Sequence, residues 1–355
     1  MNFVFNEEFM EKYREAREAN RKKPELRHGI LMCVLFAISL SVTTLSGSLM
    51  SFVFFITAVA SGAMVFCLFP FYVWPLPVAA AALVTAFLAD TPILAVGILL
   101  PVVVALVFGL FSRNDKALSP SIGTATAVIV LSVAALGVLL VYHYQGSLTV
   151  DSIIAFAKRC HGFLTRNLEK MFVYKDGETQ LSVLTYEQIS AFVRAIIAVL
   201  PGYVVCFSFI ISYICSWLYR RFLSAFGYAV NIIPFFFHFD MSLVSASVFL
   251  IMSILSFFLA FFSKAEIAYF ASENMRIMLL PAFTMLGFRW VKQGFAKLRR
   301  KGARFGCLVV LLIPVVMSGS VIALLSPLLT FLSVAGAILV VKNKAPRIDF
   351  SGKKN

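Results

Sequence analysis

Charge is scarce in this chain, and its scarcity is uneven. Only 14% of the 355 residues are Asp, Glu, Lys or Arg and 61% are hydrophobic, where a soluble domain carries roughly 25% charge. Residues 29–89 contain no charged side chain at all, a run long enough for two or three membrane crossings. Cysteine is sparse too. Of Cys33, Cys67, Cys160, Cys206, Cys215 and Cys307, five fall in predicted spans and no two have CxxC or zinc-finger spacing. They read as small buried apolar side chains. No GxxxxGK[ST] phosphate loop, HExxH or GxSxG occurs. These absences leave little support for self-contained hydrolase or redox chemistry, so no enzyme, cofactor or metal site is expected. Any ATP-driven step needs a separate ATPase. His238 and Asp240 lack a third ligand nearby and read as a span-boundary cap.

What remains is apolar helix, and the fold class expected is all-α: a polytopic transmembrane bundle of about ten spans, between eight and ten. Residues 3–23 form a leader helix, with Phe5, Phe9, Tyr13 and Ala16 at helical spacing and Pro24 ending it. The first 28 residues are too charged for a removable signal peptide. Five spans are predicted at about 30–46, 49–69, 74–89, 92–112 and 121–144, and five more at 195–218, 241–263, 264–288, 305–325 and 327–341. Asp90 precedes Thr91-Pro92 as a helix cap. Residues 222–240 read as an interfacial or re-entrant segment.

Between the halves, residues 145–193 are polar. Ile153, Ala157, Cys160, Leu164, Leu168 and Met171 mark one helical stripe opposite Lys158, Arg159, Arg166 and Lys170. Tyr174 to Gln180 reads as a turn, and Thr185-Tyr-Glu-Gln188 has the spacing of a capping box that starts the next helix. A helix pair capping the membrane face is expected. With the N-terminus inside, 23 of the 31 Lys and Arg fall in predicted cytoplasmic segments, which favours both termini inside. The organisation is then a cytoplasmic helix (1–28), a first membrane half (29–144), an external helical loop (145–193), a second half (194–341) and a basic tail (342–355).

Residues 185–290 carry a recurrent arrangement. A helix runs into Leu200-Pro201, and the span after it ends in a basic-aromatic stretch, Trp217 to Gly227. Pro234-Phe235 precedes the next span, and an Asn-led apolar stretch runs from Asn274 to Gly287. This, with the paired prolines of Trp74 to Pro77, resembles the YybS-like family, bacterial polytopic membrane proteins defined by a domain of unknown function. The resemblance implies a multi-pass protein of the bacterial inner membrane and assigns no catalytic or binding residue. A more distant likeness is to the membrane subunits of vitamin-uptake transporters.

Charge within the spans marks the site to look for. Glu266, Tyr269, Glu273, Arg276 and Leu280 step by three or four and share one helical face. Arg276 is the middle residue of a span drawn over 264–288. An unpaired charge there costs at least ~2.5–3.5 kcal/mol. Glu266, Glu273 and Arg276, with Asn274 beside them, are the expected substrate-binding residues of a transporter-like component. The rival is a scaffold in which the same residues form an internal salt bridge. The densest basic cluster is Arg289 to Arg304, including Lys297, Arg299, Arg300, Lys301 and Arg304. It is suited to anionic lipid headgroups or a cytoplasmic partner subunit. No nucleic-acid module accompanies it.

Overall fold

The computed structural model describes residues 26–45, 49–88, 93–113, 118–176, 179–182, 185–226, 241–262, 266–297 and 321–344. The predicted leader helix over 3–23, Asp90, His238, Asp240, Lys264 and most of the predicted span 305–325 lie outside them.

Ten helices are present among the described residues. They are α1 (Leu26–Leu45), α2 (Leu49–Leu68), α3 (Pro75–Leu88), α4 (Ile93–Arg113), α5 (Leu118–Gln145), α6 (Val150–Phe172), α7 (Tyr186–Ala225), α8 (Leu243–Leu259), α9 (Glu266–Lys297) and α10 (Val321–Lys344). A two-stranded antiparallel hairpin, β1 (Val173–Asp176) and β2 (Thr179–Ser182), sits between α6 and α7. The all-α class holds, and the turn expected over Tyr174 to Gln180 needs one correction. Tyr174 to Gln180 lies largely on paired strands, with Tyr174 opposite Leu181 and Asp176 opposite Thr179. The sequence leaves two residues between those strands, the length of a tight hairpin connection, and Val173 and Tyr174 are good strand formers.

Among the described residues, four stretches are long and apolar enough to cross a membrane: Arg27–Leu45, Met50–Leu68, Ser121–Gln145 and Tyr186–Ala225. Pro75–Thr85, Ile98–Ser112 and Leu243–Leu259 are apolar but shorter. The 32-residue α9 is not one of the four, because Glu273, Asn274 and Arg276 lower its hydropathy.

Contacts divide the chain into two units, Met1–Ser132 with Ser208–Phe235, and Val133–Phe207 with Phe236–Asn355. In the first, Phe36 of α1 meets Phe66 of α2 edge-on at 5.7 Å, and Phe66 tilts against Trp74 at 4.9 Å. The Trp74 indole donates to Phe69 O at 3.0 Å, closing the turn that leads into α3. Pro75 then occupies that helix's first position, where its missing N–H costs nothing. Several hydroxyls inside these helices donate to their own backbone four residues back, as Ser41 does to Ala37 O (3.0 Å) and Thr57 to Val53 O (2.9 Å). That satisfies them without a partner helix.

The second unit has its core where α8, α9 and α10 meet. Ala246 and Phe249 face Phe283 and Leu286, with Ala337 and Val340 closing the cluster, and the Phe249 and Phe283 rings lie 4.8 Å apart. Helix starts are capped as their sequences dictate. Ser242 accepts from Ser245 N at 3.0 Å before α8, and Thr149 accepts from Ser152 N at 3.2 Å before α6. The expected capping box opens α7: Gln188 N donates to Thr185 Oγ1 (3.3 Å) and Thr185 N to Gln188 Oε1 (2.9 Å). This helix continues without interruption into the following apolar stretch, passing through Pro201 to Ala225.

Candidate functional site

α9 and α10 cross on two glycines. A Cβ on Gly287 would lie 1.9 Å from Leu332 O, and one on Gly336 would lie 2.1 Å from Phe283 O. Any side chain at either position would push the backbones apart. This crossing brings the polar face of α9 against α10 on one side, while α8 packs on the other.

At that place Glu273 and Arg276 form an ion pair one turn apart. Both oxygens of Glu273 are engaged: Arg276 Nη2 donates to Oε1, and Arg276 Nε donates to Oε2 at 2.9 Å. Ser256 Oγ of α8 donates to the same Oε2 at 2.5 Å. Arg276 Nη1 reaches α10 and donates to Thr330 Oγ1 at 3.3 Å. Three helices therefore hold one charge pair, whose side chains keep 14% (Glu273) and 17% (Arg276) of their surface exposed.

Asn274 turns to a different neighbour. Its carboxamide oxygen accepts from Gly202 N at 2.7 Å, and its nitrogen donates to Ala198 O at 2.8 Å and to Phe270 O at 2.9 Å. Gly202 N and Ala198 O are the two groups that a regular helix would pair with each other, four residues apart. Pro201 supplies no N–H, so the ladder of α7 already lacks one rung here. The Asn274 amide bridges the turn that the proline weakens. Gly202 makes the approach possible, since a Cβ there would lie 2.9 Å from the Asn274 oxygen.

No family model, curated protein or solved structure matches the chain.

The expected site is thus brought together in part. Glu273 and Arg276 pair as the spacing suggests, and Asn274 sits beside them but faces α7. Glu266, two turns earlier on the same face, is exposed in the first turn of α9 and lies outside this hydrogen-bond network. Arg276 is not central to its helix: α9 runs on to Lys297, which makes Arg276 its eleventh residue. Of the basic cluster, Lys297 ends α9 without a described side chain, and Arg299, Arg300, Lys301 and Arg304 lie outside the described residues.

Sequence reasoning missed Ser256, Thr330, Gly202 and the Gly287–Gly336 crossing. Ser256 and Thr330 are single hydroxyls in apolar runs, indistinguishable in sequence from those that bond their own helix. Among the described residues no group of three His, Cys, Asp or Glu side chains clusters to hold a metal ion.

Proposed function

We propose that this chain is the small-molecule-binding membrane component of a transport system, with no ATPase and no catalytic activity of its own. It is a multi-pass protein of the bacterial inner membrane, of about ten spans with both termini inside, and its likeness to the YybS-like family belongs to the same reading. The observation that carries it is the capacity that Arg276 keeps unused among the described residues. A guanidinium has five N–H donors, and three of those on Arg276 are engaged by Glu273 and Thr330. The rest, on a side chain held in place by three helices and still partly exposed, suit a hydrogen-bond acceptor on a ligand. Ionisable residues at membrane depth mark functional sites more often than structural ones.

The test is purification in mild detergent with mass spectrometry of co-purifying small molecules and proteins, for the wild type, Glu273→Gln and Arg276→Ala. A bound metabolite or an ATPase, lost in either variant while the protein still inserts, supports transport. A second reading, a non-transporting scaffold or envelope assembly factor, rests on the completeness of the Glu273 bonds, which need no ligand. There the same substitutions alter stability alone, neutralising Arg299, Arg300 and Lys301 releases a protein partner, and no small molecule is recovered.

A further inference from the structure

Helix α6 carries an apolar face that no described element covers. Ile153, Ala157, Cys160 and Leu164 step by four, three and four residues along it. Ile153 is 51% and Leu164 39% exposed, Ala157 is exposed and Cys160 half-buried. Lys158, Arg159 and Arg166 point elsewhere around the helix, and all three are exposed.

The neighbours of α6 fix its position. The span candidate Ser121–Gln145 ends at Gly146, whose φ of 72° and bond to Tyr142 O (2.8 Å) terminate α5. From Gln145 to Val150 the chain can reach no farther than ~18 Å even when extended. It does not extend. Tyr144, at the end of α5, stacks on Phe156 of α6 with ring centroids 6.1 Å apart and planes 25° from parallel. Phe156 is the seventh residue of its helix, so α6 runs past the end of α5 rather than away from it. On its other flank, the His161 Nε2 and Ser190 O of α7 are 3.2 Å apart, and Thr165 is fully buried. The α7 stretch Tyr186–Ala225 is itself a span candidate. The uncovered face lies between these two attachments, and each attachment is near an end of a stretch apolar enough to cross a membrane.

We propose that α6 lies flat in the lipid headgroup region at the end of α5. Ile153, Ala157, Cys160 and Leu164 enter the acyl boundary, and Lys158, Arg159 and Arg166 stay in water or reach lipid phosphates. A helix of this kind, apolar on one side and basic on the other, sinks ~5–10 Å into that boundary. Tyr142 and Tyr144, both exposed at the end of the span, are the aromatic residues expected at that depth.

The experiment uses the full chain in vesicles of phosphatidylethanolamine and phosphatidylglycerol. Cys160 is kept as the only cysteine, and a nitroxide is attached to it. A matched chain carries the nitroxide at Arg159→Cys with Cys160 replaced. The expected result is a severalfold higher oxygen-to-nickel-chelate collision ratio at 160 than at 159. Equal access of the nickel chelate to both sites would overturn the proposal, as would a site at 160 closed to both reagents, which protein rather than lipid would then cover. A second measurement needs no cysteine replacement. In the otherwise native chain, Leu164→Trp should add fluorescence that lipids brominated near the headgroup quench, and unquenched added fluorescence counts equally against lipid contact.

Discussion

Glu273 and Arg276 show how a polar pair can persist among apolar helices. Removing one member strands the other's charge, a loss of ~3–5 kcal/mol for a buried pair, whereas replacing both by apolar groups is often nearly neutral. Glu273→Gln should therefore lower the thermal unfolding midpoint in detergent, and adding Arg276→Met should recover most of the loss. A double variant that is stable yet binds no ligand would separate the roles of folding and function. Asn274→Ala removes both of the bonds that cross to Gly202 N and Ala198 O. At ~1–3 kcal/mol for a buried group left unsatisfied, the effect should be read in the same melt. Asn274→Asp keeps the acceptor for Gly202 but loses the donor to Ala198, and should fall no nearer the wild type than Asn274→Ala if charge burial dominates. The pairing of residues 273 and 276 was legible because both lie on one helix. The role of Asn274 was not, since its partners lie 72 and 76 positions away and no local pattern announces them.

Helices meet here at glycines, and the glycines are not equivalent. At Gly287 and Gly336 an added methyl group collides with carbonyl oxygens of the facing helix, so Gly287→Ala or Gly336→Ala should open the α9–α10 crossing. Thr330 would then be drawn away from Arg276, and a marked fall in thermal stability is expected. At Gly123 and Gly137 of α5 nothing lies within 4 Å of a new Cβ. Alanine there should be neutral or raise helix stability by up to ~1 kcal/mol, with both outcomes read by circular dichroism during heating. Element boundaries were largely legible because caps and prolines write them locally: the Thr185–Gln188 box falls where the sequence places it, and the break between the predicted spans 49–69 and 74–89 falls between Leu68 and Pro75. The hairpin β1–β2 was not, since four-residue strands offer too little periodicity to tell from a polar turn.

At the scale of the whole molecule, the distribution of basic residues is the ground for the proposed sides of the membrane, and the apolar helices are those long enough to carry the chain across. The orientation proposed from charge puts β1–β2 outside and the end of α10 inside. A membrane-impermeant maleimide should then label Lys175→Cys in intact cells, and Lys344→Cys only after lysis, in a background lacking the native cysteines. Labelling of both in intact cells would refute the orientation. The sequence makes the membrane character plain, because transfer of apolar side chains is a bulk property that composition records. It does not make plain which helices form each packed group, because that depends on shape: α8, α9 and α10 share a core through Phe249, Phe283 and Ala337, a fit that no single helix displays.

The bridge from Asn274 to α7 also sets an order in time. α7 leaves the ribosome before α9 does, and 72 residues separate Gly202 from Asn274. At ~5–20 residues per second, that interval is several seconds. Throughout it, the turn around Pro201 has only its own weakened ladder to close on, in surroundings where an unmet backbone group costs several kcal/mol. The turn around Pro201 thus gains its last backbone partners late, from a residue synthesised after the helix it completes.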